Sequence, residues 1–211
     1  MPEIARRARE LGVKVSFDLN YRATLWSPKD ARAAWVDILP HVNLLITTES
    51  DAAILLNEAH FVGAPRCVAR SQQEAAAVET GRRAVSPAHG ASAGDNARCA
   101  HREAALRRLH ALHHPDAIAM TCGGDGSAAF DGNEFLTYPS WPLEPINRLG
   151  AGDAFAAGLL YGLISADLQT GLAYGNAMSV LKFTVPQNLP LIDRADVEAL
   201  IAGRDTRRLV R

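Results

Sequence analysis

The stretch VKVSFDLNYRATLWSPKDARAAWVDILPHVNLLITTESDAAILL, residues 13–56, alternates short β-rich runs with well-marked helix starts. Residues 13–18 combine β-branched and aromatic side chains and predict a strand. Ser27 suits an N-cap, Pro28 the first helical position, and Asp30 the closing member of a capping box. The helix that follows puts Ala31, Ala34, Trp35 and Ile38 on one face. HVNLLIT (41–47) predicts a second strand, and Thr48 starts a second capped helix ending near Leu56. Strand and helix in turn predict an α/β layer with parallel pairing. Ligands of such sheets gather at the C-terminal ends of the strands. Asp18, Asn20 and Arg22 follow the first strand there, and Arg22 suits a bidentate pairing with a carboxylate or phosphate. A polar turn with a surface arginine explains the same residues. Thr48-Glu49-Ser50-Asp51 reads first as a capping box, a role that needs no function.

Outward from this stretch, the 211 residues carry 22 Lys and Arg against 23 Asp and Glu, a formal net charge of −1. A chain so close to neutral has no electrostatic footprint for nucleic acid or an anionic membrane. Its apolar runs are far shorter than a membrane span, and MPEIARRARELG lacks the apolar core of a signal peptide. Three cysteines (Cys67, Cys99, Cys122) at wide spacing do not form a disulfide framework. The expectation is a soluble cytoplasmic protein, and a homo-oligomer is compatible with it.

Residues 60–114 differ in character, holding six of the seven histidines and no Ile, Lys, Tyr or Trp. Residues 81–100 have no periodicity and predict a poorly ordered loop, with only 101–112 helical. Cys99-x-His101 and His110-x-x-His113-His114 suggest metal ligation, but no second cysteine pair stands at zinc-ligand spacing. Order resumes with a strand at 117–121 and a hairpin over 126–139 turning at Asp131-Gly132. Helices are predicted over 153–164, about 167–183 and 194–202, the last capped by Asp193 and stopped by Gly203.

The sharpest chemical signal is NRLGAGDAFAAG, residues 147–158, where glycines run straight into a helix. Backbone N–H groups of Gly150, Ala151 and Gly152 are expected to converge there on an anion, helped by the helix dipole. Asp153 stands at the mouth, where a carboxylate suits the removal of a proton from a nucleophilic hydroxyl. A glycine-started helix with an acid in its first turn accounts for the same spacing. A Rossmann fingerprint fails because Phe155 holds its sixth position and prolines precede it. A P-loop fails because the chain has no Gly-Lys pair. TCGGDGS (121–127), at the end of a strand, is either a phosphate-approaching loop or a tight turn.

Taken in order, these motifs resemble the ribokinase-like (PfkB) family of carbohydrate kinases, and within it the 2-keto-3-deoxygluconate kinases. FDLNYRATLWSP with LLITTESDAAILL resembles the family's mid-chain stretch. NRLGAGDAFAAGLLYGL resembles its C-terminal signature, and GNAMSVLKFTVPQNLP the helix and loop flanking the nucleotide. The likeness covers about 1–57 and 116–203. It implies a three-layer α/β/α fold over 1–211, truncated at its N-terminus, with 60–114 an atypical, partly disordered insertion. It implies ATP-dependent phosphorylation of a sugar or sugar acid with Mg2+, Asp153 as base and Gly150, Ala151 and Gly152 as the anion hole. Thr121, Gly123 and Gly126 would line the ATP phosphates and Asn176 would lie near the adenine. Arg22, Asp18, Asn20 and Asp153 would bind the sugar acid. Glu49 and Asp51, in a Thr-Glu-Ser-Asp that replaces the family's Asn-x-x-Glu, would reach the metal only through water. Asn147 stands where the family usually has an aspartate. Fructokinase- or ribokinase-type specificity, or a kinase remnant without turnover, are the alternatives.

Overall fold

The computed structural model describes residues 1–58, 93–141, 143, 145–186 and 192–203. Five strands form one sheet in the order β1-β2-β3-β4-β5: Ser16–Asp18, Leu44–Thr48, Ala117–Thr121, Ser127–Phe130 and Phe135–Tyr138. β1 runs parallel to β2 with Ser16 beside Leu44 and Asp18 beside Ile46. β2 runs parallel to β3, from Leu44 beside Ala117 to Thr48 beside Thr121. No helix among the described residues is long and apolar enough to cross a membrane.

The described residues group into two compact units, the first comprising 1–58, 93–122 and 128–135. Its helices are α1 (Pro2–Glu10), α2 (Pro28–Ile38), α3 (Glu49–Leu56) and α4 (Ala93–His113). Leu44 to Thr47 are all buried, the pattern of a strand covered on both faces. Leu45, Ile118 and Met120 pack in one core with Ala31, Trp35, Leu106 and Leu109. Ala34 and Ile38, expected on the same face as Trp35, are only half-buried. The first strand is shorter than expected, Ser16–Asp18, and the second starts at Leu44 because Leu39–His41 forms a 3-10 turn around Pro40.

The helix starts follow the local chemistry. Ser27 caps α2 by accepting from the Asp30 amide, with Pro28 at the first position. The Asp30 carboxylate takes the Ser27 hydroxyl at 2.7 Å, so only the serine half of the expected capping box forms. Thr48 caps α3, and Asn57 closes it in the left-handed region.

α4 corrects one expectation. Residues 93–100 were predicted to be unstructured, yet they form the first eight residues of a 21-residue helix. Ala105, Leu106 and Leu109 anchor its second half in the core, and alanine-rich sequence carries the helix back from that anchor. The remainder of the predicted loop, 81–92, lies outside the described residues. The β4–β5 turn is as expected: the Asp131 carboxylate accepts from the amides of Asn133 (2.8 Å) and Glu134 (2.7 Å). Gly132 takes a φ of 94° with the His110 ring close beside it.

The second unit comprises 123–127 and the described residues from 136 onward. α5 (Ala151–Ser165) and α6 (Leu168–Phe183) pack with backbone against backbone. A Cβ on Gly158 would meet the Tyr174 carbonyl oxygen at 2.5 Å, and one on Gly162 would meet the Gly171 Cα at 2.7 Å. α7 (Arg194–Ile201) begins with a complete capping box between Asp193 and Asp196, and Gly203 follows it at a φ of 67°.

His113, half-buried at the end of α4, titrates below the ordinary imidazole range. Burial is the main cause, with the charges of His114 and Arg32 acting the same way. The unfolded chain therefore takes this proton more readily than the folded one. Stability should fall as pH drops below about 6.5 and level off beneath the folded value. Urea midpoints measured between about pH 7.5 and 5.5 should show this slope, and His113→Gln should flatten it.

Candidate active site

In the first unit, parallel register brings three sets of polar residues to the C-terminal ends of neighbouring strands. Asp18 ends β1, Thr48 ends β2 and Thr121 ends β3, with Thr48 and Thr121 paired in register. Beyond β1 the Leu19 amide still donates to the Ile46 carbonyl at 3.1 Å, and the Leu19 side chain is buried. Asn20 then turns at a φ of 41°, a conformation asparagine tolerates better than most residues. The Tyr21 hydroxyl donates to the Trp26 carbonyl at 3.1 Å, and its ring meets Trp35 edge-on. Arg22 leaves this turn exposed.

Thr48 to Asp51 is more than a cap. The Thr48 hydroxyl accepts from the Asp51 amide at 3.1 Å and shares a hydrogen bond with Ser50. The Asp51 carboxylate does not close the box; it accepts from the Tyr21 amide at 3.4 Å. Asp51 is 6% exposed, and burial pushes its carboxyl above the usual range against the opposing pull of Tyr21, Thr48 and the Arg22 charge. Glu49 takes the Arg102 guanidinium of α4 at 2.7 Å. Both acids expected to reach a metal through water thus have partners inside the unit. Among the described residues, no three His, Cys, Asp or Glu side chains gather around one metal position. His110 instead packs edge-on against Phe130 at 5.3 Å.

In the second unit, Gly150 caps α5 from the left-handed region at a φ of 83°. The first helical bond runs from the Ala154 amide to the Gly150 carbonyl at 2.9 Å. Of the three amides predicted to be unpaired, that of Ala151 reaches back to the Arg148 carbonyl at 3.3 Å. Gly152 and Asp153 are exposed in the first turn. A Cβ on Gly152 would touch nothing within 4 Å, so packing among the described residues does not demand a glycine there.

The approach to this helix is tied down by an amide. Asn147 Nδ2 donates to the Pro186 carbonyl at 2.7 Å, and its Oδ1 accepts from the Leu149 amide at 2.9 Å. An ionised aspartate could make only the second of these bonds. The Ile146 amide adds a bond to the Phe183 carbonyl.

The residues expected along a nucleotide divide in character. Gly123 has a φ of 59° and open space around it. Gly126 is required sterically, because a Cβ would lie 2.1 Å from the Tyr138 carbonyl oxygen. Asn176 is buried and both its side-chain N–H groups are committed, one to Ser127 Oγ at 2.5 Å and one to the Leu172 carbonyl at 2.8 Å.

Residues 2–188 match the pfkB family carbohydrate kinase domain. The chain belongs to the pfkB family of carbohydrate kinases. It is 29% identical over 204 residues to the 2-dehydro-3-deoxygalactonokinase of Haloferax volcanii, covering 96% of this chain and 52% of that protein. It is 24% identical to the 5-dehydro-2-deoxygluconokinase of Bacillus licheniformis, covering 93% of this chain and 50% of that protein. The chain spans about half the length of the curated relatives it matches. Its fold is that of the 2-dehydro-3-deoxygluconokinase of Thermotoga maritima, with a TM-score of 0.70, 22% identity and 95% and 54% of the two chains covered. The fructokinase of Vibrio cholerae O395, in its fructose-, ADP- and calcium-bound form, matches at a TM-score of 0.68 and 20% identity over 94% and 54%. The expected ribokinase-like α/β fold and family therefore stand.

Sequence reasoning missed four features of the site. The Asp51 and Glu49 contacts join residues 30 and 53 positions apart, beyond any local pattern. Asn147, a departure from aspartate in sequence, ties two loops through its amide. Lys182, fully buried with Nζ 3.3 Å from the Val185 carbonyl, carried one signal: it is one of three lysines, in an otherwise apolar helix end.

The internal commitments of Asn176 have a measurable consequence. Asn176→Ala should lower stability by about 1–3 kcal/mol, because Ser127 and Leu172 lose a buried partner. An unchanged denaturation midpoint would contradict this structural role.

Proposed function

We propose that the chain phosphorylates a hydroxyl of a sugar acid from ATP, with 2-keto-3-deoxygluconate as the foremost substrate. The observation that carries this reading is the start of α5. An exposed carboxylate, Asp153, stands beside a glycine that packing among the described residues does not require, at the positive end of a 15-residue helix. A missing side chain there leaves room for a phosphoryl group over the first turn. Membership of a carbohydrate kinase family gives that anion its identity.

In this reading Asp153 accepts the proton of the attacking hydroxyl. The hydroxyl oxygen forms a bond to the γ-phosphorus as the bond to the β–γ bridging oxygen breaks, and ADP leaves. The Gly150 and Gly152 amides stabilise the charge of the transferring group, the Ala151 amide being turned back to the Arg148 carbonyl. Arg22 pairs with the substrate carboxylate, and Asp18 and Asn20 shape the turn from which it reaches. Thr121, Gly123 and Gly126 follow the ATP phosphates. The role of Asn176 near the adenine is fold support through Ser127 in addition to any base contact.

ATP carries Mg2+ on its phosphates, and that ion keeps several waters and needs few protein ligands. Glu49 and Asp51 are engaged by Arg102 and the Tyr21 amide, so they do not build a metal centre, and no step is assigned to them.

The curated relatives support an acid over a neutral sugar: both named substrates are dehydro-deoxy sugar acids. The fructokinase likeness, at 20% identity, concerns the fold. A second reading, a kinase fold without turnover, is favoured by the engagement of Glu49 with Arg102 and of Asp51 with the Tyr21 amide, in the motif that replaces Asn-x-x-Glu.

ADP release by the purified chain, with 2-keto-3-deoxygluconate and a panel of neutral sugars, separates these readings. Turnover that requires the sugar acid is expected, and Asp153→Asn should lower it by about 10²–10⁴-fold with ATP binding retained. No ADP release from folded protein would leave the second reading, and loss of ATP binding in Asp153→Asn would make that residue structural.

A further inference from the structure

The start of α3 has the sequence of a capping box but spends its acid elsewhere. In a closed box the Asp51 carboxylate would return to the Thr48 amide. Here it crosses to the chain leaving β1 and accepts from the Tyr21 amide at 3.4 Å. Glu49 is held away by Arg102, and the Thr48 hydroxyl by Ser50 and the Asp51 amide. Among the described residues, Asp51 is the side chain of this motif with a hydrogen bond to the turn at 19–22. That turn is also held by the Leu19 amide on the Ile46 carbonyl, by the Leu25 amide on the Arg22 carbonyl, and through Tyr21, whose hydroxyl donates to Trp26 and whose ring packs on Trp35. Within it lies Asn20 in the left-handed region, a conformation asparagine tolerates better than most residues.

A buried carboxylate costs free energy unless it is hydrogen-bonded. At 6% exposure, Asp51 is a costly choice for a residue needed only to start a helix, since an exposed acid would serve the dipole as well. Its position makes sense if the Tyr21 amide must be fixed. We propose that Asp51 is a positioning residue whose carboxylate locks the turn at 19–22, so that Arg22 is presented in one orientation to the carboxylate of the sugar acid. The substrate half of this inference rests on the function proposed above. The lock itself does not.

Two variants test it. Asp51→Ala removes the acceptor, and Asp51→Asn keeps a side-chain oxygen. In folded Asp51→Ala, hydrogen exchange of the amides at 19–22 should quicken by about tenfold, while Asp51→Asn should retain most of the protection. In the kinase assay, Asp51→Ala should raise the KM for the sugar acid by about tenfold, with kcat and the KM for ATP little changed. In an Arg22→Ala background the same substitution should raise that KM no further, because its effect passes through Arg22. Unchanged exchange at 19–22 would overturn the lock. A loss confined to kcat or to the KM for ATP, or a full additional rise in the Arg22→Ala background, would overturn the positioning of Arg22. If the wild-type chain turns over no sugar, the proposed function falls, and the exchange measurement still decides whether Asp51 holds the turn.

Discussion

Parallel pairing of β1, β2 and β3 in one register is the constraint on which the first unit depends. Because Asp18 lies beside Ile46 and Thr48 beside Thr121, each strand delivers its following loop to the same edge. A slip of one residue would turn every side chain to the other face, and Leu45, Ile118 and Met120, none more than barely exposed, would leave the core. The polar residues at that edge are thus held by apolar packing several residues away. Trp35 and the Ala105, Leu106 and Leu109 face of α4 belong to the same core. A helix from the compositionally unusual part of the chain therefore supports the strands, and through Arg102 it also holds Glu49.

The second unit depends on close approach instead of register. α5 and α6 meet through Gly158, Gly162, Gly171 and Gly175, where side chains would collide with backbone or with Phe155. Such contact leaves little play between the two helices, and interiors packed this closely transmit small displacements. The start of α5 inherits that rigidity. Asn147 and Ile146 then tie the preceding loop to the end of α6 at Phe183 and Pro186. The turn bearing Gly150, Gly152 and Asp153 is consequently fixed from both sides.

What could be read from the sequence was mostly local. The side chains of Ser27, Thr48, Asp167 and Asp193 each accept from the backbone amide three residues on, and three of these four caps were legible as patterns. The Asp131-Gly132 turn and the glycine start of α5 were legible for the same reason. The extent of α4 was not, because the alanine-rich text extends a helix only from an anchor, the burial of Ala105, Leu106 and Leu109, which no local pattern shows. The destination of the Asp51 carboxylate was hidden in the same way: a capping box and a cross-link to Tyr21 have identical sequences. The family resemblance supplied the assignment of the motif order to a kinase, and the family match bears that out. It did not foresee that Asn176 would be committed to Ser127, since a side chain's partners depend on packing.

Phosphorus NMR of the chain with MgATP and 2-keto-3-deoxygluconate would show whether the sugar acid is phosphorylated, because it reports where the phosphoryl group goes. A new phosphomonoester resonance should grow in step with ADP and be absent when the sugar acid is omitted. Inorganic phosphate alone, or an unchanged ATP spectrum from folded protein, would contradict the proposed function.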